Sequence, residues 1–112
     1  MKETALILFL FLIFFNKSNG QVIAPVTSPE LAKIKVCIVK DLNAADLKVF
    51  LVAKENLTGK NDGLWFISEK PDQTKYTIFW TTNPQEAGLK IILVANNKEA
   101  GWINRSKKYL LN

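Results

Sequence analysis

The 112-residue chain contains no histidine and a single cysteine, Cys37. Without histidine there is no imidazole general base and no Ser-His or Cys-His nucleophile pair. One thiol and no imidazole cannot complete a zinc site. The five glycines fall in no phosphate-cradling spacing. Carboxylates are the remaining acid–base chemistry, because a glycosidase needs only two of them across a cleft. Asp41, Asp46, Glu55, Asp62, Glu69, Asp72, Glu86 and Glu99 all fall at strand ends or in connections, where a solvated role is expected. The sequence therefore predicts no catalytic residues, no cofactor and no metal.

Aromatic side chains give a different candidate. Trp65-Phe66 and Phe79-Trp80 sit in successive strand-like segments, with Lys48, Lys75 and Lys90 at the starts of others. Aromatic faces beside lysines stack sugar rings or unpaired bases. Trp65, Trp80, Lys48, Lys75 and Lys90 are thus the ligand-binding candidates, set against the simpler reading that the rings form a packed core. Trp102, after Gly101, reads as an anchor between the last strand and a closing helix.

These residues belong to a chain of mixed charge with a formal net charge of +5. Basic residues are interspersed with acidic ones rather than clustered, so no nucleic-acid partner is expected. Residues 5–15, ALILFLFLIFF, form an unbroken apolar run behind Lys2 and before the polar stretch ending Ser18-Asn19-Gly20. That is the three-part plan of a secretory signal peptide over 1–20. The run falls short of the roughly 20 residues a membrane span needs, so no stable span is expected after cleavage ahead of Gln21. An exported protein, periplasmic or extracellular, with one cysteine cannot staple its own fold. Cys37, inside Ile34–Val39, reads as a buried apolar thiol.

Pro25 and Pro29 make 21–31 an extended lead-in arm. From residue 32 to 112 the sequence repeats. Ile34, Leu47, Leu64, Tyr76, Leu89 and Trp102 open similar segments about thirteen residues apart, with one longer interval absorbing an insertion at 57–61. Alternation as in Leu47, Val49 and Leu51 against Lys48, Phe50 and Val52, with enrichment in Val, Ile, Phe and Trp, predicts strands. It predicts one fully buried face and a second buried except near each lysine. The polar links are too short for crossover helices. Five strands that close or interleave on themselves, followed by a helix over 104–111 capped by Asn104, make the expected fold: a mainly β, compact repeat domain with a short C-terminal helix.

Two segments carry a family resemblance. Ala45-Asp-Leu-Lys-Val-Phe-Leu-Val52 and Ala100-Gly-Trp-Ile-Asn-Arg-Ser-Lys-Lys108 resemble the recurring unit and closing segment of the septoil-knot domain family of small bacterial proteins. The resemblance implies a compact β-rich fold whose backbone is tied in a seven-crossing torus knot. It brings no activity and no catalytic residues. The units at 64–67 and 76–80 lack the family's lysine, and the 57–61 insertion is extra.

The functional expectation is a non-catalytic exported structural or interaction domain. The alternative is an aromatic-platform module for glycan or another polymer, and the last reading is a carboxylate-pair hydrolase.

Overall fold

The computed structural model describes residues 21–112; the expected signal peptide over 1–20 lies outside them. Among the described residues seven strands are present rather than five. They are β1 (Gln21–Pro25), β2 (Ile34–Ile38), β3 (Leu47–Leu51), β4 (Leu64–Ile67), β5 (Tyr76–Trp80), β6 (Leu89–Leu93) and β7 (Gly101–Trp102). The expected lead-in arm is extended at 21–25, but there it pairs on both sides, with β4 and β5. The prolines that suggested an arm sit where a strand tolerates them, at the last position of β1 and at the start of the following turn.

Strands β1 to β6 close into a barrel in the order β4-β1-β5-β2-β6-β3, with β3 meeting β4 to complete the ring. Every pairing within that ring is parallel. The short strand β7 runs antiparallel beside Leu47 and Lys48, on the edge of β3 whose far end pairs with β4. Gly63 permits this crowding: its φ is +95°, and a Cβ there would meet the Lys48 carbonyl oxygen at 2.4 Å.

Parallel strands usually need a crossover of a dozen or more residues. Here residues 26–33, 39–46, 68–75 and 81–88 suffice, because the staggered strands carry the chain part of the way around the barrel. Each crossover contains one 3-10 turn, begun by proline at Pro29, Pro71 and Pro84 or by an Asx cap. Asp41, Asn83 and Asn96 each accept the backbone N–H two residues on. The closing helix over Arg105–Leu111 is a 3-10 helix, and Asn104 caps it through Ser106 as its position suggested.

The ladder explains the core. Ile23 lies opposite Tyr76, Ile78 opposite Ile34, and Val36 opposite Leu89, so the residue level with its neighbour stands two positions further along each strand. The inward side chains therefore stack in three rings. Ile23, Val36, Val49, Trp65, Ile78 and Ile91 form the middle ring, each 0% exposed. Gln21, Ile34, Leu47, Tyr76 and Leu89 form the ring at the strand starts, also buried. The third ring comprises Pro25, Ile38, Leu51, Ile67, Trp80 and Leu93, and there burial fails: Ile38, Leu51, Trp80 and Leu93 are exposed.

The expected face of Leu47, Val49 and Leu51 is correct in direction but not buried throughout, since Leu51 reaches the rim. On the outside, Ala24 and Cys37 are buried, Lys35 is exposed and the remaining outward positions are half-buried. Cys37 is a buried free thiol, as its apolar neighbours suggested.

Substituting Ile78→Ala in the middle ring should cost about 2–5 kcal/mol in urea unfolding, and Leu93→Ala at the rim no more than about 1 kcal/mol. Equal losses at the two sites would contradict the ring assignment.

Candidate functional site

The two ends of the barrel differ. At the strand starts, Leu111 is buried and Leu110 packs against the core. Gln21 Nε2 donates to the Leu111 carbonyl at 3.1 Å. The C-terminal helix thus closes this end. Gln21 Oε1 at this end and Trp65 Nε1 in the middle ring are buried without a hydrogen-bond partner, a local cost that the surrounding apolar packing must offset.

Asp46 fastens the closing segment. Its Oδ2 accepts from the Lys90 N–H at 2.8 Å and from Lys107 Nζ at 3.2 Å, and its Oδ1 accepts from Asn104 Nδ2 at 3.2 Å. Its carbonyl accepts from the N–H groups of Ile103 and Asn104. Burial works to raise the Asp46 pKa, but the bonds from Lys90, Asn104 and Lys107, with the Lys107 charge, outweigh it and hold the carboxyl below its ordinary value. The sequence grouped Asp46 with solvated strand-end carboxylates. Instead it is buried, and the available signal was its place: it directly precedes a strand, where other units carry Lys33 or Lys75.

Asn61, from the insertion, makes a second fastening. The Trp102 indole N–H reaches the Asn61 carbonyl at 3.1 Å and Oδ1 at 3.0 Å. Asn61 Nδ2 donates to the Lys108 carbonyl at 2.8 Å and to Asn112 Oδ1 at 3.0 Å. Trp102 is therefore linked to the final helix through the insertion.

The structure does not assemble the aromatic–lysine candidates. Trp65 lies in the middle ring at 0% exposure, so neither of its faces can stack a ligand. Trp80 stands at the opposite, open end. Lys48 and Lys90 are half-buried outward residues of β3 and β6. Lys75 lies 5.2 Å above the ring of its neighbour Tyr76. All three lysines are at strand starts, whereas Trp80 ends its strand, because inward and outward positions alternate and the strands run parallel.

At the strand ends the third ring forms an apolar mouth. Beside it, between two crossovers, lies a groove of about 450 Å³ lined by Pro25, Val26, Thr27, Leu31, Ile67, Ser68, Glu69 and Pro71. Among the described residues, no group of three metal-ligating side chains is present, and no helix is long and apolar enough to cross a membrane.

A closed parallel barrel without crossover α-helices, sealed at one end by its own C-terminus, defines an unusual class of small β domain. The family model described as the 7(1) septoil knot domain matches residues 20–103, and the chain belongs to that family. The match includes β1, so the family's domain begins ahead of residue 32. No curated protein and no solved structure matches the chain.

Because the folded Asp46 pKa is depressed, its stabilising contribution is complete above the ordinary carboxylate pKa and is lost as pH falls through the lower folded value. Asp46→Asn should remove about 2 kcal/mol at neutral pH and flatten the decline in stability on acidification. Urea titrations at a series of pH values check this; an unchanged acid slope would deny Asp46 its role.

Proposed function

We propose that this chain is a non-catalytic exported domain, acting through its surface and its persistence, built on a knotted backbone. The observation that carries the non-catalytic reading is the burial of the middle ring. Its six side chains are each 0% exposed, so the inward positions at the centre of the barrel present no side chain to a solvent-borne substrate. The absence of histidine and the engagement of Asp46 in structural bonds support it. The aromatic-platform alternative loses its second tryptophan to the core. The carboxylates in the crossovers that could serve a hydrolase, Asp41, Glu55, Asp62, Glu69, Asp72, Glu86 and Glu99, are all exposed.

Support for export comes from the apolar run at 5–15 and the small residues before Gln21. Intact-mass analysis of the protein recovered outside the cytosol should give a chain beginning at Gln21; a full-length mass there would refute the cleavage. Purified protein should show no turnover on glycoside, ester or peptide substrates. Turnover abolished by a single Asp→Asn or Glu→Gln substitution would overturn the non-catalytic reading.

The knot reading rests on winding. Taking β7 as a seventh place between β3 and β4, every connection from β1 to β7 lands two places further around the ring. The chain thus circles the barrel nearly twice while passing over one strand at each step, winding over its own earlier course as folds generally do not. Pulled from its two ends, a knotted domain should extend to less than the contour of roughly 3.6 Å per residue, because the tightened knot retains chain. Extension to the full contour would show an unknotted backbone.

A further inference from the structure

We propose that the open mouth of the barrel is the self-association surface of a weak two-fold homodimer. Ile38, Leu51, Trp80 and Leu93 are 38–48% exposed, and each is the last inward-facing residue of its strand. Pro25 and Ile67 complete the ring and continue it into the apolar groove, where Leu31 is 66% exposed. The other end of the same core is covered by Leu110 and Leu111. Among the described residues, the chain covers one end of the barrel and leaves the other exposed. Contiguous exposed apolar surface of this kind marks an interaction site.

Closure of the ring excludes strand addition, because β1 to β6 have no free edge. A partner must therefore meet the mouth through side chains. Charge selects the partner. Around the mouth the exposed charges alternate in sign: Lys40 beside Asp41, Lys54 beside Glu55, Glu69 beside Lys70. An anionic lipid surface or a nucleic acid would call for one positive sign there. The basic surplus lies elsewhere, at the strand starts in Lys33, Lys35 and Lys75 and on the closing helix in Arg105 and Lys108. A two-fold contact places one patch against itself, which a single-sign rim would resist and an alternating rim accommodates by pairing each lysine with a carboxylate of the other copy.

The size of the patch sets the strength. Two facing mouths, including Leu31, bury on the order of 1,000 Å², at the lower limit of specific interfaces. A dissociation constant of about 10–100 µM is expected. Trp80 reports the contact, since Trp65 is already in the core and Trp102 sits at the closed end.

Sedimentation equilibrium of the chain 21–112, which carries the whole core from Ile23 to Leu111, should show a monomer–dimer equilibrium. Tryptophan emission should shift to the blue over the same concentrations, a readout that needs no variant. Leu51→Lys with Leu93→Lys should weaken association at least about tenfold, with the far-ultraviolet spectrum unchanged. Ile103→Lys with Tyr109→Ser, exposed at the closed end, should leave it intact. A monomer throughout the range to about 1 mM would overturn the proposal, as would a dimer insensitive to the rim pair. Cosedimentation of a monomeric chain with phosphatidylglycerol vesicles would instead assign the mouth to a membrane.

Discussion

The middle ring of six side chains is the constraint on which the rest of the structure depends. Ile23, Val36, Val49, Trp65, Ile78 and Ile91 come from all six barrel strands and are completely buried. They meet at one level only because each strand is staggered by two residues against the next. A one-residue slip anywhere would turn that strand's inward set outward. Register, closure and core are consequently one decision. No disulfide assists it; the one thiol is buried and free.

The same stagger governs the ends. It fixes three inward levels, and a five-residue strand supplies inward residues to all of them. The level at the strand starts meets the C-terminal helix, held by Asp46 and Asn61. The level at the strand ends has no such cover among the described residues, where Ile38, Leu51, Trp80 and Leu93 stay exposed. The eight-residue crossovers join strands that are not neighbours: 26–33 leads from β1 to β2, past β5, which pairs with both. Asymmetry between a fastened base and an open mouth is thus inherent in strand length and link length.

Much of this was legible in the sequence. The recurrence of Ile34, Leu47, Leu64, Tyr76 and Leu89 marks the strand starts correctly, and the alternation after Leu47 and Leu89 gives the inward face. Asn104 marks the closing helix. Strand β1 was hidden because Pro25 and Pro29 outweighed the apolar Val22-Ile23-Ala24. Trp65 and Trp80 look alike in sequence, yet Trp65 is the first inward residue of a shorter strand and Trp80 the last of a longer one. Only ladder register separates an interior ring position from a rim position. Asp46 was misread for the same reason: its partners Asn104 and Lys107 lie some sixty residues away and meet it only when the barrel closes.

Native-state hydrogen exchange of the chain 21–112 tests this account most directly. If the middle ring makes the barrel a single cooperative unit, the ladder amides of β1 and β4 should exchange only through global unfolding, with the same free energy as those of β2, β5 and β6. Exchange of the β1 amides through a separate, lower-energy opening would show that β1 is an appended arm and that the ring does not hold the fold together.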